Sequence, residues 1–226
     1  MAFRIKAAAL GILIAASVHG ALTVPVRHDH LLGHGAGRLV ATDEGLGFEE
    51  DSGKKEHSWL LKWQDIQQLW IGVREVRVTT YADSRLRLGA DREHRLQAAA
   101  GSTFDPLYAV AKDRMDQRLV AAVPGELNDT LWELPVKLKR GFGGSEGVLS
   151  AGSDAIVYRS PEKDESRTWR MSDIESVSTA APFDLTIVTF EGGRAYTFQL
   201  KQRLEERQYQ ALWRRLNKSK QAEILR

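Results

Sequence analysis

Three groups of side chains in this 226-residue chain have types and spacings that could do chemistry. The first is Ser145, inside Gly143-Gly144-Ser145-Glu146-Gly147, which fits the Gly-x-Ser-x-Gly pattern of a serine nucleophile held on a sharp turn. That chemistry needs a strand before the serine, a helix after it, and a histidine base further along the chain. The next residues, Val148-Leu149-Ser150, have a strand pattern, and all six histidines precede Ser145. The motif therefore reads as a glycine loop ahead of a hairpin, and the chain as non-catalytic. The second group is His28, His30 and His34, with Asp29 between the first two. Imidazoles and a carboxylate suit zinc or copper, and a strand carries residues two apart on one face, so His28 and His30 could share an ion. The alternative is a polar opening strand with no metal. The third group is a basic run near the C-terminus: Lys201, Arg203, Arg207, Arg214, Arg215 and Lys218, followed by Lys220 and diluted by Glu205 and Glu206. On a helix such a run is either a solvated face or a contact for anionic lipid.

No phosphate-cradling glycine loop followed by Lys-Ser/Thr is recognisable, nor any Cys/His zinc spacing. The sequence points to no cofactor. The formal net charge of +2 and pI of 8.8 reflect a slight Lys/Arg excess, which is not a nucleic-acid-binding character.

The elements that must position these groups are written twice. Leu22-Thr23-Val24-Pro25-Val26-Arg27 returns as Trp132-Glu133-Leu134-Pro135-Val136-Lys137, a spacing of 110 residues. Gly33, Gly37, Leu39 and Ala41 return as Gly143, Gly147, Leu149 and Ala151. Trp63-Gln64-Asp65-Ile66 is answered by Met171-Ser172-Asp173-Ile174, and residues 75–81 by residues 184–190. Self-similarity at a long fixed spacing means duplication. It also tests the sites. The counterparts of His28, Asp29, His30 and His34 are Leu138, Lys139, Arg140 and Gly144, so the fold itself does not require a metal cluster. Asp65 and Asp173 are counterparts of each other, which suits a shared turn or cap better than catalysis.

Within each copy the patterning is that of short strands closed by a helix. Apolar residues alternate on both sides of Thr42-Asp43-Glu44-Gly45 and of Gly152-Ser153-Asp154, which predicts hairpins. Val76, Val78 and Thr80 fall on one face of a strictly alternating segment, the mark of a half-buried strand. Phe104, Leu107, Tyr108, Ala111, Met115, Leu119 and Ala122 recur in helical steps, and Leu204, Tyr209, Leu212, Trp213 and Leu216 do so in the second copy. The expected buried pairs are Leu39 with Leu149, Phe48 with Tyr158, Ile66 with Ile174, Val78 with Ile187, Tyr81 with Phe190, and Tyr108 with Tyr209. Residues 24–122 should superpose on residues 134 to about 219.

About seven short strands and then one amphipathic helix resembles the pleckstrin-homology-like superfamily, in its bacterial and GRAM-type versions. The residues that carry the resemblance are Gly37-Arg38-Leu39 and Gly147-Val148-Leu149, the stretches 59–69 and 169–177, and the terminal helices. The resemblance implies a mainly β fold with α: two units, each a seven-stranded antiparallel, partly closed barrel or sandwich capped by a C-terminal helix. It also implies a binding role. Members that bind phosphoinositides do so through a basic first hairpin loop. Those loops are residues 42–45 and 152–154 and are acidic here, which argues against binding a lipid head group at that place.

Residues 1–20 read as a secretory signal peptide: Arg4 and Lys6, then an apolar run at residues 7–18, then Val18-His19-Gly20 with small residues at the cleavage positions. The alternative is an uncleaved membrane anchor, but twelve helical residues reach about 18 Å, short of a hydrocarbon core of about 30 Å. The expected layout is thus a signal peptide (1–20), a first domain (21–123), a linker (124–132), a second domain (133–220) and a tail (221–226), exported to the periplasm or the exterior. The chain has no cysteine, so each domain must hold on its apolar core alone. The functional expectation is a non-catalytic module for a protein or peptide partner in the cell envelope. The alternative is a peripheral module for anionic membrane, using the basic C-terminal helix; a hydrolase acting through Ser145 ranks behind both.

Overall fold

The computed structural model describes residues 21–30, 33–52, 58–84 and 89–224. The expected signal peptide lies outside the described residues. The chain forms strands β1 (Leu22–His30), β2 (Gly33–Ala41), β3 (Gly45–Glu50) and β4 (Trp59–Lys62), a 3-10 turn (Trp63–Asp65), then β5 (Ile66–Gly72), β6 (Glu75–Asp83) and β7 (Asp91–Ala98). Helix α1 (Asp105–Ala111) and strand β8 (Leu119–Ala122) come next. The rest is β9 (Trp132–Lys139), β10 (Gly144–Ala151), β11 (Ala155–Arg159), β12 (Arg167–Arg170), a second 3-10 turn (Met171–Asp173), β13 (Ile174–Ser178), β14 (Asp184–Thr189), β15 (Ala195–Leu200) and α2 (Glu206–Ile224). The fold is mainly β with two helices. None of the described helices is long and apolar enough to cross a membrane.

All fifteen described strands belong to one open sheet, in the order β13-β14-β15-β9-β10-β11-β12-β8-β5-β6-β7-β1-β2-β3-β4. The order on one side of β8 is the order on the other: β13-β14-β15-β9-β10-β11-β12 against β5-β6-β7-β1-β2-β3-β4. The register repeats as well. Val24 faces Leu39 as Leu134 faces Leu149, and Leu39 faces Phe48 as Leu149 faces Tyr158. His28 faces Leu96 as Leu138 faces Phe198. Even the bulge recurs, between Ile66 and Gln68 and between Ile174 and Ser176. A one-residue slip would turn every apolar side chain to the wrong face, so a shared register means a shared pattern of burial.

Each half gathers its own core. Val24, Leu39, Phe48, Ile66, Val78 and Leu96 are buried in one cluster, and Leu134, Leu149, Tyr158, Ile174, Ile187 and Phe198 in the other. A Cβ added at Gly37 would collide with the Glu49 carbonyl oxygen and the Phe48 ring; at Gly147 it would collide with the Arg159 carbonyl oxygen and the Tyr158 ring. The repeated glycine is therefore a repeated need to let one aromatic ring lie flat against the neighbouring strand.

Three expectations are corrected. Tyr81 and Phe190 are not core residues: they are 60% and 41% exposed. Alternation already puts Val76, Val78 and Thr80 inward on β6, so Tyr81 must point out, and the buried counterparts are Thr80 and Thr189. The helical stripe of the first copy stops at Ala111, and Leu119–Ala122 is a strand buried at all four positions. Val120 and Val123 favour extended chain, whereas the corresponding stretch of the second copy, Lys218 to Glu223, is made of helix formers and stays in α2. Finally, the first hairpin in each half is one strand earlier than the acidic loops suggested. It is β1–β2 and β9–β10, so its turn in the second half contains Arg140; residues 42–45 and 152–154 join the second and third strands.

Candidate interaction surface

Strand β8 closes a gap between the halves. It runs parallel to β5, with Leu69 facing Leu119 and Ile71 facing Ala121, and antiparallel to β12, where Thr168 faces Ala121. Thr168 is 2% exposed. Its hydroxyl donates to the Val123 carbonyl at 2.7 Å and accepts from the Gly125 amide at 2.8 Å. Beside it, Arg170 reaches across the joint. Its Nη1 donates to the carbonyls of Lys112 at 2.7 Å and Met115 at 2.6 Å, and its Nη2 to that of Asp116 at 2.6 Å. These are the carbonyls of the chain that leaves α1 and enters β8. One guanidinium thus binds the start of the inserted strand. Asp173 holds that guanidinium from the other side, accepts the Arg170 amide at 2.9 Å, and so caps the second 3-10 turn. Burial pushes the Asp173 carboxyl up, opposed by Arg170.

The same place in the first half has no described strand over it. By the register, Leu60 on β4 is the counterpart of Thr168, and Lys62 of Arg170: Leu60 faces Gly47 as Thr168 faces Val157. Strand β4 is the end of the sheet order and pairs with β3 alone among the described strands. Leu60 is 73% exposed where Thr168 is 2% exposed. Asp65 is exposed and makes no side-chain cap of its turn. At the other end of the sheet, β13 is partly closed by α2: Lys220 Nζ donates to the Glu175 carbonyl and the Tyr209 hydroxyl to that of Val177.

The residues picked out by sequence lie apart. His28 sits on β1 with its ring 5.5 Å from that of Phe48. The backbones of His30 and His34 are on β1 and β2, where Asp29 faces His34; their side chains are outside the described set. Among the described residues no group of three His, Cys, Asp or Glu could hold a metal ion. The neighbour that sequence did not point to is His94 on β7, whose ring lies 4.7 Å from that of Trp59 at a tilt of 36°, with Trp59 itself 6.3 Å from Phe48. Burial, then the nearby His28 and Arg92, lowers the pKa of His94 to about 4. Ser145 is a buried strand residue on β10 facing Leu138, not the tip of an elbow. The Tyr158 hydroxyl lies 2.9 Å from its Oγ and donates to its carbonyl at 2.7 Å.

The basic residues of the C-terminal region meet different surroundings. Lys201 pairs with Glu146 at 2.7 Å and holds that carboxyl below its usual range. Arg203 lines a small hollow with Pro182 and Tyr209. Arg215 and Lys218 line a cleft of about 590 Å³ at the joint, together with Lys112, Tyr108 and Asp154. Arg207 and Arg214 are exposed, and Trp213 between Leu212 and Arg214 is 47% exposed. A further hollow of about 800 Å³ lies at the first hairpin loop of the second half, lined by Lys139, Arg140, Arg167 and Arg194. Each of these cations is matched locally: Lys139 by Asp184 at 3.2 Å, Arg140 by Glu165, Arg194 by Glu191 at 3.5 Å, and Arg167 by the Asp164 and Ser166 carbonyls.

No protein-family model and no curated protein matches the chain. Among solved structures, the C-terminal domain of an unknown protein from Leishmania infantum is similar at 14% identity, covering 39% of this chain and 84% of that one, with a TM-score of 0.33. The Spt16D–Pob3N heterodimer is similar at 11% identity, covering 76% of this chain and 85% of that one, with a TM-score of 0.32. Scores at that level assign neither fold family nor function.

Proposed function

We propose that this chain is a non-catalytic binding module of two pleckstrin-homology-like units, residues 21–123 and 133–220, which works in the cell envelope after export and takes a protein or peptide partner. The repeated strand order and register support the two-unit reading. The observation that carries the function is the contrast at one repeated position: 2% exposure for Thr168 under β8, and 73% for Leu60 with no described strand over it. An apolar side chain on an unpaired sheet edge is a liability unless something covers it. The test is photo-crosslinking in the native envelope from Leu60, Phe142 and Trp213, each exposed. A discrete protein adduct from at least one position supports the reading. Lipid adducts alone, or none, overturn it.

A second reading has its own observation. Trp213 and Arg214 are adjacent and exposed on α2, an aromatic–cation pair suited to an anionic membrane surface. It requires binding to vesicles with anionic phospholipid that collapses with added salt, and that weakens in Trp213→Ala. Salt-insensitive or absent binding removes it.

A further inference from the structure

We infer that the outer edge of β4 receives one extended strand from a partner protein, running antiparallel to β4, with a small apolar residue opposite Leu60. This rests on the binding-module reading and goes beyond it by fixing the surface, the direction and the chemistry of the occupant.

The molecule contains its own precedent. Strand β12 stands in the same place in its half as β4 does in the other, and β12 is covered by β8, antiparallel, with Ala121 opposite Thr168. The covering segment is Leu119-Val120-Ala121-Ala122, buried throughout. Since the register of β3 with β4 repeats that of β11 with β12, the backbone groups that β12 offers to β8 are offered by β4 to no described strand. Leu60 replaces Thr168 there. A threonine that binds Val123 and Gly125 suits a strand whose continuation is tethered beside it; a leucine offers apolar area to a strand that must come from outside.

The end of the strand is specified as well. Arg170 grips the carbonyls that lead into β8, and its counterpart Lys62 is exposed at the corresponding end of β4. Lys62 therefore meets the N-terminal start of an antiparallel incoming strand, where a turn with free carbonyls or a carboxylate, such as Asp116 ahead of β8, is the matching chemistry. The described chain offers no second segment for this place. The segment after α1 in the first half becomes β8, while the equivalent stretch of the second half remains in α2.

The experiment uses the full chain and a synthetic peptide of its own residues 115–124. Amide exchange is measured across β4 and β12 with and without peptide, and affinity by fluorescence anisotropy of labelled peptide. The expected result is added protection at Trp59–Lys62, with Arg167–Arg170 unchanged. Leu60→Lys, an exposed change that a free edge tolerates, should weaken binding at least tenfold, and Leu60→Thr should weaken it less. No binding up to millimolar peptide, protection at β12 or β5 instead of β4, or equal affinity in Leu60→Lys overturns the inference. So does protection of β4 that grows with protein concentration alone, since the occupant is then a second copy. An envelope partner crosslinked only from Phe142 or Trp213 overturns this surface and leaves the binding-module reading standing; loss of every protein adduct overturns both.

Discussion

Arg170 and Asp173 form a two-point ion pair, Nε to Oδ2 at 3.0 Å and Nη2 to Oδ1 at 2.7 Å, with their side chains only 16% and 12% exposed. The pair fixes a guanidinium whose remaining hydrogens hold the chain between α1 and β8. A cap of one half is thereby the clamp on a strand that leaves the other half.

Removing either partner strands the other in a poorly solvated place. Arg170→Ala and Asp173→Asn should each cost about 2–5 kcal/mol in denaturant unfolding. Lys62→Ala and Asp65→Asn, at the counterpart positions on the exposed edge, should change stability by less than about 0.5 kcal/mol. Equal losses at both places would mean that the joint is not held by this pair.

Thr168 gives a separate measure of the joint. Replacing it with valine keeps the volume but removes the hydroxyl that the Val123 carbonyl and the Gly125 amide both use, and leaves them only their own mutual hydrogen bond at 3.1 Å. The expected cost is about 1–3 kcal/mol, with faster exchange of the amides of β8. Unchanged exchange in β8 would show that its pairing with β5 suffices.

The duplication was legible in sequence because buried positions keep their size class. Phe48 and Tyr158 fill the same space, and Gly37 and Gly147 make room for them. The place of β8 was not legible. Leu119 and Ala122 fit a helical step of three as well as they fit a strand, and four consecutive buried residues have no period at all. His94 escaped notice because only the pairing of β1 with β7, 68 residues apart at His28 and Leu96, brings it near the first histidine. The contrast between Leu60 and Thr168 was visible as two residue types, but its meaning depends on where β8 goes.

Ile66 and Ile174 are fully buried at the repeated bulge. Ile66→Ala and Ile174→Ala should each destabilise by about 2–5 kcal/mol, since each removes a branched side chain from a closed core. A loss below about 1 kcal/mol at either would indicate that one core collapses around the cavity and the other does not.

The His94 pKa, lowered from 6.5 to about 4 by burial and then by His28 and Arg92, makes stability depend on pH in a defined window. Well above pH 6.5 the residue is neutral folded and unfolded, and contributes no slope; the slope sets in as the pH approaches that value. Between 6.5 and 4 the unfolded chain takes up a proton that the folded chain refuses, so stability falls as the pH is lowered and levels off below the folded pKa. After allowance for solvent screening the loss is about 1–3 kcal/mol. Carboxylates whose pKa the fold lowers, such as Glu75 and Asp116, add their own loss only as the pH drops below their ordinary values of 4.5 and 3.8. The stretch from about pH 7 to about pH 5 is thus where the histidine acts without them. Denaturant midpoints measured there should decline in the parent chain and decline less in His94→Gln. Parallel profiles would show that His94 takes up its proton as readily in the fold as out of it, and that its packing against Trp59 does not exclude the charged ring.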